Sequence, residues 1–210
     1  MSQGRSNGAA PACGSGLRIV ELDSIAPTPW KNGGGTTRDL LVWPGPAAWR
    51  LRISVAAIER DGPFSDFSGI ERWFAVLEGA GVALQLDSER RELRRGDPPL
   101  RFDGALAPMC WLLDGPTSDL NLLVPHAAGT AAMHDAVPGH DWICSVPWRA
   151  LVSAGAAELW VDDRLAASTR GSALLWSPRA AQQCWRLQTQ SGTMASGWWI
   201  EFRPHAGAAT

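Results

Sequence analysis

The sequence predicts an all-β protein, arranged as barrels or sandwiches. Apolar and polar residues alternate at the two-residue strand period, most clearly from Trp49 to Ile58 and from Val82 to Leu86. Gly- and Pro-rich turns separate these short runs. No long amphipathic helical pattern interrupts them.

Residues 1–16 carry scarcely a bulky side chain and read as a disordered tail. A short apolar pattern from Leu17 to Ile25 leads through Pro27 and Pro29 into PWKNGGGTTR, Pro29 to Arg38. This stretch holds the chain's one lysine, Lys31, and three consecutive glycines that let the backbone bend and approach a ligand. Its spacing fits neither G-x-G-x-x-G nor G-x-x-x-x-G-K-[ST], which argues against a nucleotide loop. It is either a ligand loop flanked by Lys31 and Arg38 or a Gly-rich turn whose charges face water.

Asp39 to Trp43 reads as a strand ended by Pro44, Gly45 and Pro46. In Trp49 to Ile58 the alternation puts Arg50, Arg52 and Ser54 on one face. On an open sheet that face is solvated, whereas inside a barrel it is a cationic lining able to grip a carboxylate. Further strands are expected at Trp73–Leu77, Val82–Leu86, Leu100–Phe102, Met109–Leu113 and Leu120–Val124, with a hairpin at Glu78 and Gly79. Asp119 and Asn121 share a face of the last of these. The mixed-sign run SERRELRR ending at Arg95 reads as a solvated hairpin. From Pro125 to Asp141 the strand pattern lapses, suggesting a connector. Beyond it, LVSAGAAELWVDD followed by TRGSALLWSP is similar to VLEGAGVALQLDS followed by RRGDPPLRFD, a weak internal repeat. Trp198–Phe202 closes the second half.

Composition narrows the function. A net charge of -2 and pI near 6.1 argue against a general basic surface for nucleic acid or anionic membrane. No apolar run approaches the length of a membrane span and no secretory signal is evident, so a cytoplasmic protein is expected. Cys13, Cys110, Cys144 and Cys184 form no C-x-x-C pair and read as reduced, packed thiols. His126, His134, His140 and His205 lie in the connector and the tail, away from the motifs, and read as solvated. The twelve tryptophans reflect composition as much as function.

Segment 62–111 resembles a cupin whose metal ligands have been replaced. Laid on the motif G-x5-H-x-H-x(3,4)-E-x6-G, the chain has Phe64, Asp66 and Glu71 at ligand positions and Gly79 one place late. On the second motif, Gly104 is in register, while Phe102, Ala107 and Trp111 replace proline, histidine and asparagine. Only the glutamate survives, so no metal and no cofactor are expected.

PWKNGGGTTR, WRLRIS, GPFSDFSGIERWFAVLEG and GPTSDLNLL together resemble the HutD/Ves family of bicupins over about Leu17 to Arg203. The resemblance implies two fused cupin-type barrels, at 17–125 and 142–203, with a connector at 126–141 and a tail at 204–210. It also implies a homodimer and an association with bacterial histidine utilisation, whose intermediates are modest carboxylates. Lys31, Arg38, Arg50 and Arg52 are then candidate carboxylate partners. Asn32, Gly33, Thr37, Ser54, Asp119 and Asn121 could read polar atoms, with Phe67 as wall. Glu71 either joins this site or pairs with Arg72 at the rim.

Two readings follow. The first is a protein that senses or buffers a small carboxylate; the second is a metal-independent enzyme with Glu71 or Asp119 as general base. Binding is preferred, because no Ser-His or Cys-His pairing accompanies the motifs. No nucleic-acid or membrane partner is expected.

Overall fold

The computed structural model describes residues 16–178, 182–189 and 197–206. The expected disordered tail lies outside them except for Gly16. Eleven strands precede the middle of the chain: β1 (Arg18–Glu21), β2 (Thr28–Pro29), β3 (Gly35–Trp43), β4 (Leu51–Ile58), β5 (Gly62–Pro63), β6 (Ile70–Glu78), β7 (Val82–Leu86), β8 (Glu89–Leu93), β9 (Leu100–Asp103), β10 (Met109–Leu112) and β11 (Thr117–Pro125). Eight follow: β12 (Gly129–Asp135), β13 (Asp141–Cys144), β14 (Trp148–Ser153), β15 (Ala157–Val161), β16 (Arg164–Thr169), β17 (Ala173–Ser177), β18 (Gln183–Gln188) and β19 (Gly197–Pro204).

These strands build four sheets, and the two halves repeat one topology. In the first half the order β4-β11-β6-β9 faces the order β5-β10-β7-β8. In the second, β12-β19-β14-β17 faces β13-β18-β15-β16. The weak sequence repeat is thus the trace of a structural one. Each half is a cupin-like jelly roll of two open, facing sheets. β2 and β3 extend the first inner sheet beyond β4, whereas β1 crosses to pair with β17 in the second.

Three corrections follow for the expected organisation. Residues 129–135 are strand β12 paired with β19, so much of the expected connector belongs to the second half. β1 also lies there, although its sequence position suggested the first half. The turn after Glu78 is no hairpin, because β6 and β7 lie in different sheets. Gly79 and Gly81, at φ 93° and 107°, carry the chain between the two layers.

Alternation explains how the layers hold together. Leu51, Ile53 and Val55 of β4 and Leu120, Leu122 and Val124 of β11 point toward the other half. There they meet Met133, Trp148, Val152, Trp176, Ile200 and Phe202, forming the largest apolar cluster. Trp148 and Trp176 stack within it at 5.4 Å. The inner sheets are therefore buried on both faces, which is why β14 and β17 are buried throughout. The opposite face of β4 and β11 looks into the first jelly roll, where Ser54, Asp119 and Asn121 sit. Truncating the shared core should be costly: Leu122→Ala, at a fully buried position, is expected to lose about 2–5 kcal/mol, read as a lower urea midpoint.

Candidate functional site

The register of β4, β11 and β6 sets out the site in rows. Arg52, Leu123 and Arg72 lie side by side in one row, and Ser54, Asn121 and Phe74 in the next. Ala56, Asp119 and Val76 form the third. Above these rows, between the two sheets of the first half, is a cavity of about 480 Å³. Of the residues expected at a site, Lys31, Asn32, Thr37, Arg52, Ser54, Phe67 and Asn121 line it. Trp30, Phe64 and Arg72 line it as well.

Arg72 is the group on which the cavity turns. Only 6% of it is exposed. Its guanidinium carbon lies 4.9, 5.3 and 5.1 Å from the ring centres of Phe64, Phe67 and Phe102. Nη2 donates to Asn121 Oδ1 at 3.0 Å. Nε and Nη1 have no hydrogen-bond partner, and no carboxylate pairs with Arg72 among the described residues. Burial, helped by the neighbouring charge of Arg52, pushes its pKa down to about 10. It is still a cation at neutral pH.

The buried arginine of the second half makes the contrast. Arg149 donates to the carbonyls of Cys144 at 2.6 Å and Val146 at 3.3 Å, so backbone oxygens absorb its charge. Arg72 has three phenyl rings in their place. A desolvated cation with so little compensation is destabilising, and an anion entering from the cavity supplies what it lacks.

The remaining cations differ from Arg72. Arg52 holds Asp39 in a two-point contact, Nε to Oδ1 at 2.7 Å and Nη2 to Oδ2 at 3.2 Å. Lys31 is exposed on the turn at the other side of the cavity, with no hydrogen bond or ion pair among the described residues. Asn32 Oδ1 accepts from the Gly34 amide at 3.0 Å, folding the turn on itself. Trp30 Nε1 donates to Thr37 Oγ1 at 2.7 Å, fixing the indole at the cavity wall.

Five expected site residues do not line the cavity. Arg38 follows the inward Thr37 on β3, so alternation turns it to the opposite face, where its Nε donates to the Ile25 carbonyl at 3.0 Å. Arg50 precedes β4; its Nη2 donates to the Ala128 carbonyl at 3.1 Å, and its guanidinium lies over Trp43. Gly33 serves the turn itself, at φ 67°, while Gly35 is needed because a Cβ there would lie 2.1 Å from the Ala57 carbonyl oxygen. Glu71 cannot pair with Arg72, since adjacent strand residues face opposite ways. It accepts from Trp73 Nε1 at 3.0 Å and from Arg101 Nε at 2.7 Å.

Asp119 is fully buried behind the lining. Its Oδ2 accepts from Thr117 Oγ1 at 2.8 Å, and Oδ1 has no partner. Neither carboxylate proposed as a general base therefore opens onto the cavity. Of the cupin ligand positions, Phe64 is wall, and Asp66 is exposed and bound by Ser68 Oγ. Among the described residues, no group of three His, Cys, Asp or Glu side chains could hold a metal ion. None of their helices is long and apolar enough to cross a membrane.

Among the lining residues that the sequence did not mark as part of a site are Arg72 and Trp30. Trp30 sits inside the motif but was hidden by the charged and glycine positions around it. Arg72 shares its strand face with Phe74 and Val76. The opposite face, with Trp73, Ala75 and Leu77, is just as apolar, so the pattern did not reveal which one is internal.

Asp119 leads to a pH prediction. Burial raises its carboxyl pKa to about 7, partly opposed by the Thr117 hydroxyl. A carboxyl whose folded pKa is raised supports folding fully below its unfolded pKa, and that support is lost as pH rises through about 7. The difference is on the order of 4 kcal/mol. Asp119→Asn is therefore expected to unfold at a higher temperature than the wild type at pH 8 and at nearly the same temperature at pH 4, by calorimetry.

The HutD family model matches residues 23–194. An uncharacterized 21.2 kDa protein in the hutC 3′ region of Pseudomonas putida is 34% identical over 113 residues, 52% of this chain and 58% of the relative. Protein Ves of Citrobacter koseri is 35% identical over 97 residues, 45% of this chain and 50% of the relative. The chain thus spans about half the length of the curated relatives it matches. Among solved structures, a conserved protein of unknown function from Pseudomonas aeruginosa PAO1 superposes with a TM-score of 0.79 at 25% identity, covering 90% of this chain and 99% of that one. HutD from Pseudomonas fluorescens SBW25, determined in a formate condition, gives 0.77 at 24% identity with the same coverage. With the family match running through both jelly rolls, the chain belongs to the HutD family.

Proposed function

We propose that this HutD-family chain is a cytoplasmic binding protein for a small carboxylate that carries no ammonium group. On this reading it senses or buffers an intermediate of histidine breakdown and so moderates the pathway. The observation that carries the proposal is Arg72, a buried cation facing a cavity, with no carboxylate among the described residues to neutralise it. A charge-assisted hydrogen bond to such a group is worth about 1.5–3 kcal/mol. That gain comes on top of relieving the desolvation already imposed by folding.

The lining also defines what is refused. Among the described residues it contains Lys31, Arg52 and Arg72 but no Asp or Glu. The α-ammonium of a free amino acid would be desolvated there without a counter-charge, beside cations that repel it. A deaminated or N-acylated acid meets no such penalty. This is the distinction needed by a protein that answers to products of histidine rather than to histidine. The pathway itself is suggested by the family and by the hutC-region relative.

Thermal unfolding of the purified chain with urocanate, formylglutamate, formate or histidine tests the proposal. An acid present at about 100 times its Kd should stabilise the fold by about 2.7 kcal/mol, a shift of a few degrees. Histidine should leave the midpoint where it was. A panel in which no acid shifts the midpoint, or in which histidine shifts it as far as the acids do, contradicts the proposal.

A further inference from the structure

The outer sheets of the two halves end in corresponding strands. β8 closes the order β5-β10-β7-β8 and β16 closes the order β13-β18-β15-β16, each as the second arm of a hairpin. Among the described residues no further strand pairs with either. The unpaired amides and carbonyls along such an edge are a template for another chain, unless charge, proline or distortion blunts them.

The two edges differ in that protection. β8 reads ERREL, and its four charged residues, Glu89 to Glu92, are all exposed. Glu89 pairs with Arg91 at 3.1 Å, and Glu92 pairs with Arg94 just past the strand at 3.0 Å. β16 reads RLAAST, with a single charge at its first position. Its pairing with β15 slips at Ala166, a bulge that bends the strand without charging it. Ala167 and Thr169 are buried, whereas Leu165, Ala166 and Ser168 are exposed, Leu165 by 51%. Leu165 pairs with the half-buried Trp160, so apolar surface continues from the edge onto the outer face of the sheet.

The charges that flank β16 are opposite in sign at its two ends. Asp162 and Asp163 make the turn before it, at φ 49° and 59°, and the Asp163 side chain is 82% exposed. Arg170 follows its last residue, exposed and with no hydrogen bond or ion pair among the described residues. When two copies of β16 run antiparallel about a two-fold axis, the Asp163 end of each lies beside the Arg170 end of the other, twice by symmetry. A parallel arrangement would set like charges side by side. The edge is complementary to itself in one direction only.

We propose that β16 is the edge on which a second copy of this chain docks, joining two four-stranded outer sheets, four strands plus four, into one antiparallel sheet of eight. The pairing satisfies the open backbone groups of β16 and covers Leu165. It is independent of what the cavity of the first half binds.

Sedimentation equilibrium of the full chain over a concentration series, with amide hydrogen exchange on the same samples, tests the proposal. The wild type should pass from monomer to dimer, and the amides of residues 164–169 should gain protection as the dimer fills. Ser168→Lys puts a charge on the exposed edge; it should raise the dimer Kd about tenfold or more while leaving the unfolding midpoint of the monomer in place. Arg170→Asp sets a carboxylate against the partner's Asp163 and should also raise Kd. Adding Asp163→Asn, which the left-handed turn tolerates, should recover part of that loss. A chain that stays monomeric at every concentration overturns the proposal. So does a dimer that either single substitution leaves intact, or one whose protection falls on a different edge.

Discussion

A guanidinium kept out of water, with no counter-charge among the described residues, is the constraint to which the first half of this protein is built. Desolvating Arg72 works against folding, and the three phenyl rings and one amide oxygen around it recover only part of that cost. The rest of the molecule must be stable enough to hold the arginine in place. The apolar cluster between the two inner sheets supplies that stability, because β4 and β11 each present one face to it and the other to the cavity. A strand held on one side by Leu51, Ile53 and Val55 keeps Arg52 and Ser54 fixed on the other. Core and site are two sides of the same strands.

The second jelly roll shows the same topology put to a different use. Its interior is filled by aromatic rings, with Trp142 stacked on Trp199 at 4.7 Å and Trp185 set edge-on to both. Its buried arginine is cradled by backbone carbonyls. Among the described residues, that interior holds no counterpart of the uncompensated charge of the first half. The second half acts as support: its inner sheet covers the back of β4 and β11, and it also takes in β1 from the start of the chain. Many of the tryptophans, ambiguous in the sequence, are core filling of this kind.

Much of the fold was legible from alternation. The strands around Trp49–Ile58, Val82–Leu86 and Leu120–Val124 stand as the pattern indicates, and the shared face of Asp119 and Asn121 is real. What alternation could not show is which sheet a strand joins, so the Gly79 turn looked like a hairpin and β12 like a connector. The site was half legible for the same reason. Lys31, Asn32 and Thr37 belong to it, but nearness in a motif does not place a side chain, and Arg38 lies one residue on the wrong side of the pleat. Arg50 has the right parity but sits before the strand begins, where the pleat no longer governs it. Arg72 was invisible as a site residue because both faces of its strand are apolar.

The central claim is that Arg72 is kept for a ligand at the expense of the fold. Urea unfolding of Arg72→Met, with and without a carboxylate that stabilises the wild type, tests it most directly. Methionine keeps much of the bulk and removes the charge. The account predicts a ligand-free variant more stable than the wild type by about 1–4 kcal/mol, with no further stabilisation when the carboxylate is added. A variant that is less stable than the wild type and still protected by the acid would show that Arg72 is a structural cation and that the ligand binds elsewhere.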